Sequence, residues 1–178
     1  RPGQPERPLV TARDFPPGTT QWFAWPSLSP DATRVIYRRR EREGPGALWM
    51  SAVAGGPPVR VVKPSADSNY GGSWSPDGNW LVYLAFNKAG GHSLNKVKTT
   101  GQAEPVVLKA EVRRDDWLPL WSPSGEWILY LDGGVKLISP DGKTTRELSS
   151  TSALAYAFSA DGETIFGIRS VGDHAELF

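Results

Sequence analysis

The sequence predicts an all-β fold, a β-propeller of four-stranded antiparallel blades with about four blades per chain, and three observations predict it. Glycine (19 residues) and proline (16 residues) cut the 178-residue chain into short pieces. Aromatic and β-branched residues fill those pieces, which favours strands over helices. A short turn sequence also recurs, as Ser29-Pro30-Asp31-Ala32, Ser75-Pro76-Asp77-Gly78, Ser122-Pro123-Ser124-Gly125 and Ser159-Ala160-Asp161-Gly162. The first two intervals match the ~40–50-residue period of a four-stranded blade. The third is shorter, because the hairpin after Tyr130 is trimmed to Asp132-Gly133-Gly134. No stretch keeps the apolar i, i+3, i+4, i+7 spacing over the ~11 residues that an amphipathic helix needs.

Each repeat reads as four strands, A to D. Strand A ends on Leu28, Trp74, Trp121 or Phe158, just before the serine. Proline then presets φ for the turn, and Asp or Gly completes it. Strand B follows with Val35-Ile36, Leu81-Val82, Ile128-Leu129 or Ile165-Phe166, and reaches Tyr37, Tyr83, Tyr130 or Gly167. Strand C is expected at residues 47–52, 93–98 and 135–139. Turns at Gly55-Gly56, Gly101-Gln102 and Asp141-Gly142 lead to strand D at 59–62, 106–108 and 145–148. The blades span about 17–63, 67–109, 114–149 and 152–178. Residues 8–11 read as a lone D strand and residues 175–178 as a C strand without a D. If the first completes the last blade, four full blades result, and the last C strand gains a partner. An open four-blade arc exposes two apolar faces, so the expected state is a closed ring, or half of a larger or dimeric propeller.

The motif Ser-Pro-Asp-Gly followed by a Trp-apolar-apolar-Tyr strand resembles the WD-like β-propeller repeat of TolB-type proteins. It is clearest at Trp74-Ser75-Pro76-Asp77-Gly78-Asn79-Trp80-Leu81-Val82-Tyr83, and nearly as good from Trp121 to Tyr130. The first copy departs at Ala32, and the last at Ala160 and Gly167. The resemblance implies a bacterial protein in the periplasm or another extracytoplasmic space, with the cytoplasm as the alternative. The family usually has six or more blades.

Composition and motifs exclude several functions. The net charge of +1 gives no field that draws nucleic acid, and no run approaches the ~18 apolar residues of a membrane span. Without cysteine there are no disulfides or thiolate metal sites. His92 and His174 are expected in solvated loops, with no ligand at metal-binding spacing, and Asp173 beside His174 is expected on the opposite strand face. No nucleophile elbow occurs, since Gly71-Gly72-Ser73-Trp74-Ser75 lacks its final glycine. A sialidase-type Asp box fails because Gly78 directly follows Asp77. Serines that recur once per blade are turn-builders, whereas a catalytic residue is normally unique. No catalytic residue, metal or cofactor is therefore expected. The chain opens on Arg1 rather than Met, read as a processing or cloning boundary, which leaves room for a longer natural protein.

Binding is the remaining class. In a propeller the D–A and B–C loops share one face, and the short A–B and C–D turns share the other. The loop-rich face should carry Trp22, Tyr70 and Trp117 near the starts of A strands, with Arg38 to Arg42, Asn87-Lys88, Arg113, Arg114, Asp115 and Asp116 beside them. Exposed aromatics near arginine make interface hot spots; the competing reading packs these rings between blades. The run Arg38-Arg39-Arg40-Glu41-Arg42-Glu43 is expected to be a solvated hairpin whose mixed charges discourage edge pairing. The expected function is a non-catalytic scaffold that binds a protein or peptide, with a homodimer as one way to complete the ring. The alternatives are a sensor or gating propeller from a larger hydrolase, kinase or transcription regulator, and a propeller lyase or glycosidase.

Overall fold

A computed structural model describes residues 7–62, 68–86, 90–113, 118–150 and 155–178. Four small antiparallel sheets form the blades of a four-blade β-propeller. The first blade pairs β1 (Thr20–Leu28), β2 (Arg34–Glu41), β3 (Ala47–Ala52) and β4 (Val59–Arg60) in chain order. The second holds β5 (Ser68–Trp74), β6 (Trp80–Phe86), β7 (His92–Lys98) and β8 (Val106–Val112). The third holds β9 (Leu120–Trp121), β10 (Ile128–Leu131), β11 (Val135–Ile138) and β12 (Thr145–Ser149), and the fourth β13 (Ala155–Phe158), β14 (Ile165–Val171) and β15 (His174–Leu177).

The recurring serines and aspartates build the A–B turns. Ser29 Oγ donates to Asp31 Oδ1 (2.6 Å) and accepts from the Arg34 N–H (2.9 Å), so one hydroxyl ties both ends of the turn. Ser75 and Ser159 do the same with Asp77 and Asp161. At Ser122 the partner is the Ser124 hydroxyl (3.1 Å). A fifth copy, Ser139-Pro140-Asp141-Gly142, closes the C–D turn of the third blade with the same bonds. Gly78, Gly125, Gly142 and Gly162 all take positive φ at the fourth turn position, where Ala32 is forced to +56°.

The core lies between blades. Ile36, Leu48 and Val61 of the first meet Leu81, Tyr83 and Val97 of the second. Val82, Leu94 and Val112 meet Ile128, Tyr130 and Ile138 of the third, and Leu129, Leu131 and Leu137 meet Tyr156 of the fourth. Each aliphatic side chain so buried contributes about 1.5–3 kcal/mol.

Residues 8–11 form no strand, contrary to the expectation, and the fourth sheet is three-stranded. The N-terminal segment instead lies along the first blade. Arg7 donates to the Val53 carbonyl (3.1 Å), and a single turn of 3-10 helix at Ala12–Asp14 is capped by Thr11. Phe15 is then buried against Phe23 (5.9 Å) and Trp49 (4.9 Å). The segment therefore covers the outer face of the first blade. Aromatic burial at Phe15 outweighs strand addition at Leu9-Val10, which stay at the surface.

Candidate functional site

Two β-bulges organise the loop-rich face. Between β1 and β2 the pairs Ala24–Arg38 and Ser27–Ile36 leave Trp25 and Pro26 opposite Tyr37 alone. Pro26 has no N–H to give the ladder, which favours a bulge there. Between β5 and β6 the pairs Asn69–Ala85 and Gly72–Tyr83 leave Tyr70 and Gly71 opposite Leu84. A bulge re-aims the side chain it carries. Here both bulges carry an aromatic ring, and the rings of Trp25 and Tyr70 meet at 5.5 Å. Gly71 permits the approach: a Cβ there would come within 2.8 Å of the Trp25 Cβ and 3.1 Å of Leu118 Cδ1. Trp25 takes a φ of +51°, a conformation that costs a residue of this size about 1–3 kcal/mol.

Arg38 fills the space between these rings. Its guanidinium carbon lies 4.6 Å from the Tyr70 ring, 5.2 Å from Trp22 and 5.3 Å from Trp25. The residue is only 4% exposed, whereas Trp22 and Trp25 are 41% and 37% exposed, so the rings form the outer wall. Gly46 makes room for it, since a Cβ there would lie 2.5 Å from Nε. Among the described residues no carboxylate pairs with Arg38, and its Nε is buried without a hydrogen-bond partner. Burial pulls its pKa below the usual arginine value; Tyr70 counteracts this and Arg40 adds to it.

Arg39, on the opposite side of β2, is equally buried but hydrogen-bonded and ion-paired. It donates to Thr20 Oγ1 (2.8 Å), Thr19 Oγ1 (2.5 Å) and Glu41 Oε1 (2.8 Å), and stacks 4.2 Å from the Phe15 ring. The run from Arg38 is thus corrected. Its first two arginines are inside, and they point to opposite faces of the blade because strand neighbours alternate.

The cluster continues across the second blade. Tyr70 lies 6.4 Å from His92, whose ring also packs on Phe86 at 4.8 Å. His92 is the first residue of β7 and half-buried, not a solvated loop histidine. It lines a cleft of about 550 Å³ with Glu111, Arg113 and Asp132. Arg113 is exposed; its N–H donates to Asp132 Oδ1 (3.0 Å), and its side chain lies over Gly133. Burial pushes the Asp132 pKa up, but the Arg113 N–H and Lys136 Nζ (3.3 Å) outweigh it and hold the carboxyl below its ordinary value.

Of the expected site residues, Trp22, Tyr70 and Arg113 thus fall on one face, joined through Arg38 and His92. Arg114, Asp116 and Trp117, with Asn87, Lys88 and Asp115, lie outside the described residues. Trp25 was missed, and Arg38, expected on this face, was expected in a solvated run rather than buried. A Trp-Pro pair inside a strand was the available signal for the first. For the burial of Arg38 there was none, because two glutamates nearby suggest a solvated run.

Other surfaces carry less. A cleft of about 440 Å³ on the turn face is lined by Ser75, Asp77, Trp80, Lys96 and Trp121, residues held by turn and inter-blade packing. His174 stands at the head of β15, within 3.3 Å of Asp173 and 3.7 Å of Glu176, so Asp173 is not turned away as expected; the turn at Gly172 brings it back. Among the described residues no three His, Cys, Asp or Glu side chains are grouped to hold a metal ion, and no helix is long and apolar enough to cross a membrane.

No protein-family model and no curated protein matches the chain. Solved structures do. A TolB structure from Agrobacterium tumefaciens is 20% identical, with a TM-score of 0.68, over 84% of this chain and 58% of that one. TolB from Acinetobacter baumannii is 16% identical, with a TM-score of 0.69, over 87% and 40%. A puromycin-hydrolyzing peptidase from Mycobacterium tuberculosis is 21% identical, with a TM-score of 0.67, over 96% and 28%. This chain therefore spans between about a quarter and three fifths of the length of these relatives in shape. At such identities the likeness speaks to architecture, and the architecture is that of a TolB-type β-propeller.

Proposed function

We propose that this propeller is a non-catalytic scaffold that binds a protein or peptide through its loop-rich face, and that it does so outside the cytoplasm. One observation carries the reading. Trp22 and Trp25 stand exposed around a buried arginine on that face, while the opposite face is given to repeated turns whose polar groups bond to one another. Large rings beside an arginine supply contact area at low entropic cost. The TolB likeness supports the extracytoplasmic placement.

The test is to pan a displayed random-peptide library on the wild type and on the triple variant Trp22→Ala, Tyr70→Ala, Trp117→Ala. Enrichment on the wild type, lost at least ten-fold on a variant that still melts cooperatively, is expected. Equal enrichment on both would remove these rings from the site.

A second reading has its own support. The peptidase likeness covers 96% of this chain but only 28% of that protein, the relation expected of a sensor or gating propeller within a larger enzyme. The full reading frame decides between the two.

A further inference from the structure

We propose that Arg38 is a receptor for a single carboxylate, presented by an extended peptide that enters between the indoles of Trp22 and Trp25. The inference rests on the binding role proposed for this face and names the chemistry recognised there. Three observations carry it. Of the two buried arginines among the described residues, Arg39 spends donors on Thr19, Thr20 and Glu41, whereas the Arg38 Nε is buried without a partner and no carboxylate among the described residues pairs with its guanidinium. A buried cation without a partner anion is costly, so a fold that keeps one has a group ready to pair. The walls around it are three aromatic rings, with Arg40 the further cation felt there.

The chemistry follows from shape. A planar guanidinium matches a planar carboxylate with two parallel hydrogen bonds. A phosphate calls for a cluster of arginines instead. The rings exclude water and so strengthen the pairing. The peptide backbone on either side of the carboxylate can lie against the two exposed indoles. Trp22, the more exposed of them, is the wall with room to move. An aspartate or glutamate side chain and a free C-terminus present the same group.

A synthetic array of random hexapeptides separates these sources. Each peptide is made with a free and an amidated C-terminus, and each acidic one also with Asn or Gln in place of Asp or Glu. The wild type should retain carboxylate-bearing peptides at least ten-fold over their neutral counterparts, and the form that loses retention identifies the source. Arg38→Met should bind both forms alike, through the indoles, and Arg38→Lys should recover part of the preference. In the wild type, the Arg38 Nε–H resonance should shift with the carboxylate form and not with the neutral one, a readout that does not depend on how Arg38→Met folds. Peptides retained without preference for a carboxylate, or a preference unchanged in Arg38→Met, would overturn the inference while leaving peptide binding in place. Retention of no peptide by any form would overturn both.

Discussion

At Asp31 the Ser29 hydroxyl, the largest influence, and the Thr33 N–H converge on one carboxylate and bring its pKa down to about 2 from an ordinary 3.8. Asp77, Asp141 and Asp161 are lowered by the same serine bond and the N–H two residues on. Because the folded values are depressed, these turns contribute stability that is fully present above about pH 4 and lost as pH falls towards about 2. The midpoint of urea denaturation should hold steady down to about pH 4 and fall below it, and Asp31→Ala should lessen that fall; a fall no smaller in the variant would contradict the assignment. Ala32 sits at +56° where the other four copies of the turn have glycine. Ala32→Gly should stabilise the fold by about 1 kcal/mol in the same experiment; destabilisation would show that the methyl group is packed. These turn residues were legible in the sequence because their chemistry is local. The burial of Arg38 was not, since its aromatic neighbours come from the adjacent strand β1 and from another blade.

Among the elements, strands bounded by these turns follow the expected pattern closely, as at β3, where Ala47–Ala52 matches residue for residue. Deviations arise where tertiary packing decides. The D strand expected at 59–62 pairs only over Val59–Arg60, and Val62 bridges instead to Ala103 of the next blade. Residues 8–11 lose their expected strand to the burial of Phe15. The bulge in β5 is the element on which the site most depends, and Gly72 is its pivot. A Cβ at Gly72 would lie 1.7 Å from the Val82 carbonyl oxygen, inside the pairing of β5 with β6. Gly72→Ala should therefore cost about 3 kcal/mol or more and shift Tyr70 away from Trp25. Denaturation together with tryptophan fluorescence reads both effects, and an unchanged midpoint would mean that the bulge is not pinned there.

At the scale of the whole molecule the two end blades differ. The outer face of the first is covered by Phe15, while the fourth presents Phe166 (47% exposed), Ile168 (38%) and Leu177 (73%) on one side of its sheet. A bare apolar sheet face is an association surface. The chain should show a concentration-dependent mass above that of one copy by light scattering, and Leu177→Lys should lower it; a constant single-chain mass would contradict this. Propeller organisation was legible at this scale because the repeat imposes it, whereas the cover on one end and its lack on the other depend on a single phenylalanine. The functional claim concerns neither end but one face. The repeated turns bond internally, and the two bulges gather Trp25, Tyr70 and Arg38 on the opposite side. The most direct test is an amide and indole NMR map of the protein with a peptide retained in the array. Shifts centred on Trp22, Trp25 and His92 are the predicted result; shifts confined to Trp80 and Trp121 on the turn face, or to Phe166 and Leu177 on the fourth blade, would contradict it.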